Sequence, residues 1–221
     1  GIGLARFGHL PAVAGFFAFA WYEIVSLSPE DPAELAIVAS VYWLLIFALA
    51  VGEGEDWLPK GEFFSAFFGF VGSMAPFWAK YEGRRVEVHA GVPGAQIMYF
   101  PPLTKSAIAF VTLMLATVSF DGLHESFRWV AFLGLNPLDY PGRSAVTLPN
   151  TIGLFAAWML MSALIVGAIL LTLRLARSDL PLSDIAGPWI LSFLPIAARS
   201  ASWSALKSTV TSAPASSTRS C

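Results

Sequence analysis

Long apolar runs separated by short polar breaks dominate the hydropathy pattern of this chain. The runs cover residues 10–27, 33–52, 106–120, 151–173 and 185–197. An α-helix rises 1.5 Å per residue, so about 20 apolar residues are needed to cross ~30 Å of hydrocarbon. The pattern therefore predicts five membrane-spanning helices, of which the last is short.

The segment "FFSAFFGFVGSMAPFWA" (63–79) is uncharged but interrupted. Gly69, Gly72 and Pro76 break its regularity, which suits an interfacial or re-entrant helix as well as a continuous span; the distribution of Lys and Arg described below favours the first. The predicted fold class is thus all-α: a polytopic transmembrane helix bundle with about five spans and one interfacial or re-entrant helix (63–79).

The distribution of Lys and Arg predicts the orientation of this bundle. If residues 63–79 do not cross the membrane, most of the basic residues share one side: Arg6, Lys60, Lys80, Arg84, Arg85, Lys105, Arg174 and Arg177. The opposite side then holds Arg128 and Arg143. Because cytoplasmic loops carry the excess of positive charge, this arrangement predicts a cytoplasmic N-terminus.

The polar connectors contain little predicted structure. Residues 80–105 have short strand-like stretches around Arg85–His89 and Gln96–Phe100. Residues 136–150 contain three prolines and are predicted as a structured loop, in which Asn150 would cap the next helix. We expect residues 1–197 to form one membrane-embedded domain, and residues 198–221, rich in Ser, Ala and Thr, to be either a disordered tail or a frame-shifted end.

Composition agrees with a membrane protein and excludes several other classes. Hydrophobic residues make up 56% of the chain and charged residues 13%, against about 25% charged in soluble domains. The formal charge of -2 and the absence of any Lys/Arg run argue against a nucleic-acid partner. A single cysteine, Cys221, excludes an internal disulfide and a cysteine metal cluster.

The stretch "SFDGLHESFRW" (119–129) places ionisable residues at the end of an apolar helix. Asp121, His124, Glu125 and Arg128 would share one helical face if the helix continued through Gly122. The simpler interpretation is an ordinary surface pair of Glu125 and Arg128.

In the predicted orientation the cluster lies at the outer membrane surface, and so does Glu23 of the first helix. Ionisable groups inside spans are costly and usually functional. We therefore take Asp121, His124 and Glu23 as candidate catalytic residues.

A metal site is the second expectation at this place. Asp121 and His124, with or without Glu23, could hold a divalent ion, whose bound water would attack an ester. No second imidazole completes the set, because His9 and His89 fall on the cytoplasmic side.

Four segments carry a resemblance to a known family: "RFGHLPAVAGFFAFAWYEIV" (6–25), "GEFFSAFFGFVGSMAPFW" (61–78), "TVSFDGLHESFRW" (117–129) and "NPLDYPGRSAVTLPNTIGL" (136–154). In this order they resemble the fenitrothion hydrolases, a family of bacterial integral membrane proteins, over residues 6–197. The resemblance implies a multi-pass protein of the bacterial inner membrane that hydrolyses an organophosphate ester.

The positions that the resemblance nominates are Asp121 and Gly122 of the "FDG" motif and Asn150 and Thr151 of the "NT" motif. We take Asn150 and Thr151, together with Arg143 of the same segment, as candidate substrate-binding residues. The chain departs from the family near Pro188, where family members continue a full span bearing histidines. If those histidines bind metal, this chain lacks them.

Three function classes remain open from the sequence. The first is a membrane-bound, metal-assisted hydrolase that takes a small-molecule substrate. The second is a permease or transporter component in which Glu23 and Asp121 relay a proton or cation. The third is a structural or assembly subunit. The lipid bilayer is a partner in all three, and the sequence names no protein partner.

Overall fold

The computed structural model describes most of the chain, and the description below is confined to that part. It covers residues 3–82, 85–99, 102–136, 142–176, 187–188 and 190–192. The predicted tail (198–221) and most of the predicted last helix (185–197) lie outside these residues.

The described chain is mostly helical, which confirms the predicted class in its coarse form. Its helices are α1 (Leu10–Val25), α2 (Pro32–Glu53), α3 (Leu58–Gly61), α4 (Phe63–Gly72), α5 (Lys105–His124), α6 (Phe127–Phe132) and α7 (Gly142–Ala176). Short 3-10 helices cover Leu4–Phe7, Glu55–Trp57 and Ala95–Tyr99, and two strands, β1 (Phe77–Glu82) and β2 (Arg85–Ala90), form an antiparallel hairpin.

Three described helices are long and apolar enough to cross a membrane. They are Pro32–Glu53, Lys105–His124 and Ser144–Leu175, with mean hydropathies of 2.4, 1.7 and 2.4. The first helix, α1, has 16 residues, which corresponds to about 24 Å of helix and falls short of the hydrocarbon thickness. The predicted count of five spans is therefore not confirmed: by length and composition, three helices among the described residues are candidates for spans.

Helix α5 is the centre of the bundle, and α1 runs beside it in the same direction. At one end the backbone N–H of His9 donates to Ser106 Oγ at 3.2 Å. At the other end Ile24 and Phe120 belong to one buried cluster. We call the end with the last turns of α1 and α5 the site end, and the opposite end the base end.

Helices α7 and α2 run against α5 and α1. Gly153 of α7 faces Phe120 near the end of α5, and Ser162 Oγ donates to Thr112 Oγ1 at 3.0 Å nearer its middle. The backbone N–H of Leu4 donates to Glu53 Oε1 at 3.0 Å, which fixes the last turn of α2 at the base end.

Helix α4 enters the bundle and returns toward the base end. Its first residue, Phe63, stacks on Phe19 of α1 at 5.6 Å between ring centroids, whereas Phe70 lies 5.7 Å from the ring of His9. The predicted helix 63–79 is therefore only Phe63–Gly72, because the chain turns after Gly72 and enters β1 at Phe77. Helix α4 therefore runs from the middle of α1 to its first turn and does not extend to the site end.

The prediction of a loop at residues 136–150 is wrong from Gly142 onward. Helix α7 begins at Gly142 and continues through Pro149. The prediction was based on the prolines of this segment, but Pro149 lies inside the helix, and long apolar helices tolerate an internal proline. Asn150 is consequently inside α7 and does not cap it.

Of the two predicted strands, one is confirmed. The stretch around Arg85–His89 lies in β2 (Arg85–Ala90), which pairs with β1. The stretch predicted at Gln96–Phe100 forms the 3-10 helix Ala95–Tyr99 instead.

Candidate functional site

The last turn of α5 holds His124 in a defined orientation. The Nδ1 atom of His124 lies 2.7 Å from the backbone oxygen of Asp121 and 3.9 Å from its carboxylate Oδ1. A carbonyl oxygen can only accept, so Nδ1 carries the proton. In the neutral ring Nε2 is then the atom with the free electron pair. The imidazole is 13% exposed and stacks on Phe120, so its position is fixed by packing as well.

Glu23 of α1 comes to the same place because α1 and α5 run in the same direction. The negative charge of Asp121 acts on the Glu23 carboxylate, so the two carboxylates are close enough to interact electrostatically. Asp121 in turn interacts with His124 and Glu125. Two neighbouring negative charges favour a positively charged partner, and the imidazole of His124, 3.9 Å from Asp121 Oδ1, lies beside them. The structure thus brings together all three predicted catalytic residues.

The expectation that Arg128 shares a helical face with these residues is wrong. Helix α5 ends at His124, and Ser126 starts a new helix by accepting from the backbone N–H of Trp129 at 3.3 Å. Arg128 therefore belongs to α6 and is exposed. Glu125 lies at the junction and is exposed as well.

Two tryptophans join α7 to the site end through the predicted substrate-binding residues. Trp129 Nε1 donates to Asn150 Oδ1 at 2.8 Å, and Trp21 Nε1 donates to Thr151 Oγ1 at 2.9 Å. The Thr151 hydroxyl itself donates to the Thr147 oxygen at 2.8 Å. These bonds give Asn150 and Thr151 a role in holding the two indoles. Arg143 lies in the first turn of α7, and its side chain is outside the described part.

Gly153 allows α7 to approach α5 this closely. A Cβ atom at Gly153 would lie 2.5 Å from Phe120 Cζ and 2.9 Å from the Trp129 ring. Both distances are much shorter than van der Waals contact, so a side chain at Gly153 would push α7 away from the rings of Phe120, which stacks on His124, and Trp129.

The geometry does not favour the predicted metal at Asp121 and His124. Among the described residues no three His, Cys, Asp or Glu side chains are grouped so that they could hold a metal ion. The imidazole nitrogen nearest the Asp121 carboxylate is Nδ1, and this nitrogen donates its proton to the backbone oxygen of Asp121. A metal shared by the two residues would need the electron pair of that nitrogen. We therefore derive no chemistry through a metal.

The sequence analysis missed a second buried carboxylate, Glu62. Its side chain accepts from the backbone N–H groups of Phe64 at 2.6 Å and Ser65 at 2.5 Å, and from the Tyr42 hydroxyl. Glu62 is 5% exposed, and Tyr42 lies in the middle of α2. The available signal was an acidic residue directly before a phenylalanine-rich run.

His9 lies at the base end, away from Asp121, as predicted. Its Nδ1 atom is buried and has no hydrogen-bond partner in the part of the chain that the structure describes. Burial, and secondly the positive charge of Lys60, lower the pKa of His9 below its ordinary value. His9 is therefore held neutral and takes no part in the site end.

Comparisons of the chain with protein-family models, with curated proteins and with solved structures find no match. The resemblance to fenitrothion hydrolases consequently depends on the sequence motifs alone.

Proposed function

We propose that this protein is a multi-pass membrane protein with an acid–base site at the site end, and that the site hydrolyses organophosphate-type esters without a metal. The observation that carries the proposal is the convergence of Glu23, Asp121 and His124 from two parallel helices. The substrate class comes from the resemblance.

The proposed reaction uses His124 as general base. Its Nε2 atom takes a proton from water while the water oxygen attacks phosphorus and the bond to the aryloxy group breaks. Asp121 holds the ring through its backbone oxygen, and its carboxylate stabilises the imidazolium that forms. The phenolate leaves as an anion, and the imidazolium returns its proton to solvent or to Glu23.

The distribution of basic residues supports the predicted orientation. Arg6, Lys60, Lys105 and Arg174 belong to segments at the base end, whereas Arg128 belongs to the site end. By the positive-inside rule the base end, with the N-terminal segment, is cytoplasmic and the site end faces outward. The membrane is, on the resemblance, the bacterial inner membrane.

The hydrolase proposal is tested with the purified protein in phospholipid vesicles and a nitrophenyl phosphotriester. Release of nitrophenolate should fall about 100-fold or more in His124→Gln, the usual loss on removing a general base. Glu125→Gln, one residue along and exposed, is the matched control and should keep its rate. A chelator should leave the rate unchanged. A wild-type protein without activity, or a His124→Gln variant with full activity, would refute the proposal.

A second candidate function is a permease or transporter component, favoured by the Glu62–Tyr42 pair. Glu62 is a buried carboxylate between α2 and α4, and ionisable groups at such depth often mark proton or ion paths. This alternative predicts proton flux into vesicles that Glu62→Gln and Asp121→Asn both abolish. If only the hydrolysis rate responds to Asp121→Asn, the alternative is excluded.

A further inference from the structure

The hairpin formed by β1 and β2 has one apolar and one polar face. In its register Phe77 pairs with Ala90, Ala79 with Val88, and Tyr81 with Val86. The residues between them pair as Trp78 with His89, Lys80 with Glu87, and Glu82 with Arg85. Because successive side chains in a strand point to opposite faces, the first set of residues shares one face and the second set shares the other.

The apolar face is uncovered in the folded chain. Phe77 is 68% exposed and Val88 is 75% exposed, and Ala79, Val86 and Ala90 are exposed as well. A soluble hairpin would place such a face against a core. Here the face has no protein covering within the described residues.

The position of the hairpin limits what can cover this face. The N–H of Gly91 donates to the Pro76 oxygen at 2.9 Å, and the N–H of Gly94 donates to the Met74 oxygen at 3.2 Å. These bonds fix the base of the hairpin just after α4, at the base end of the bundle, close to the level at which α5 begins. That level is the membrane boundary if α5 spans.

The exposed apolar surface continues from α4 into the hairpin. On α4 the outward residues Phe64 and Phe68 are exposed, on the side away from the buried Phe63, Ala66 and Phe70. Phe77 follows them as the first residue of β1. Along the chain, the exposed apolar side of α4 is thus followed by the apolar face of the hairpin, and no charged residue lies between Phe68 and Phe77.

From this continuity we propose that the hairpin lies on the membrane, with its apolar face in the boundary between phospholipid headgroups and acyl chains at the base end. Its opposite face, with charges of both signs, meets the headgroups and water. An aromatic side chain such as that of Phe77 suits this boundary. The inference rests on the proposed membrane embedding and is independent of the proposed hydrolysis.

The test places single cysteines in the full chain carrying Cys221→Ser, labels them with the polarity-sensitive dye NBD, and reconstitutes the protein in phosphatidylcholine–phosphatidylglycerol vesicles. The paired positions are Val88, on the apolar face, and Glu87, on the polar face. Both are exposed, so neither label disturbs packing. Val86 serves as a second apolar-face position.

At Val88 and Val86 the dye should emit at shorter wavelength and be quenched severalfold more strongly by a spin-labelled lipid than by aqueous iodide. At Glu87 the preference should be reversed. Equal iodide quenching at Val88 and Glu87 would overturn the proposal, as would protection from both quenchers at Val88, which would indicate that a second copy of the chain covers the face.

A label at Leu44 of α2 distinguishes this failure from a failure of membrane embedding. Leu44 is exposed and lies inside a candidate span. Lipid quenching at Leu44 without lipid quenching at Val88 would reject the hairpin contact alone. No lipid quenching at either position would reject both the contact and the embedding.

Discussion

Removal of the Glu62 carboxylate should destabilise the protein far more than removal of an exposed helix cap. Glu62 caps α4 from a buried position, and three donors depend on it: two backbone N–H groups and the Tyr42 hydroxyl. The chain offers a matched control in Asp31, an exposed residue that caps α2 by accepting from the N–H groups of Ala33 and Glu34.

The two caps differ in what replaces the lost acceptor. At Asp31 water takes the place of the carboxylate, so Asp31→Ala should cost about 1 kcal/mol of unfolding free energy. At Glu62 the carboxylate is buried and its three bonds are part-buried, so water replaces the lost acceptor less well; a buried donor left without a partner costs about 1–3 kcal/mol. Because the bonds are only part-buried, each donor is counted near the lower end of that range, and the three together predict a loss of about 3–5 kcal/mol for Glu62→Ala.

The assay is equilibrium unfolding of the purified protein in mixed detergent and dodecyl sulfate micelles, followed by circular dichroism. Glu62→Gln keeps one acceptor oxygen and should lose only part of the stability lost by Glu62→Ala. A Glu62→Ala variant that is no less stable than Asp31→Ala would refute the reasoning, since burial of the cap would then have no energetic consequence.

Three further predictions follow from single contacts. Gly153→Ala should lower the unfolding free energy by about 1–3 kcal/mol, because its Cβ would meet Phe120 and Trp129. In the same assay Gly167→Ala should be neutral or stabilising, because a Cβ at Gly167 has no neighbour within 4 Å. Trp129→Phe should lower the unfolding free energy by about 1–3 kcal/mol, because the oxygen of the buried Asn150 loses the donor Trp129 Nε1. Trp21→Phe should lower it less, because the hydrogen bond from Trp21 to Thr151 is exposed. The free energy of unfolding should fall as the pH drops below about 6.5. The unfolded chain protonates His9 at its ordinary pKa of 6.5, whereas burial lowers this pKa in the folded protein. His9→Gln should remove that part of the pH dependence, and an unchanged profile would show that His9 is not its source.

The sequence predicted the positions of α1, α2, α5 and most of α7, and the common end of Glu23 and Asp121, because the lengths of apolar runs carry this information. Apolar run lengths locate helices, and the rise per residue places Glu23 and Asp121 near the ends of α1 and α5. The prediction that both ends meet also used the positive-inside rule, and the parallel direction of the two helices in the structure agrees with it.

The sequence did not predict features that depend on tertiary contacts. Ser126 restarts the helix and removes Arg128 from the face of Asp121, although the local pattern permits a continuous helix. Pro149 remains inside α7 although proline usually ends a helix. Glu62 looked like a loop residue because nothing in the sequence shows that α4 begins inside the bundle.

The central claim is that α1 and α5 bring Glu23 and Asp121 to one end of the bundle, and cross-linking tests it most directly. In the Cys221→Ser chain, cysteines at Glu23 and Asp121 would be treated in vesicles with a short bis-maleimide, and the cross-link within one chain would be detected by mass spectrometry. The control pairs Asp121 with Glu53, which lies at the base end. The account predicts a cross-link between positions 23 and 121 and none between 53 and 121. Efficient cross-linking of the control pair, or none between 23 and 121, would contradict it.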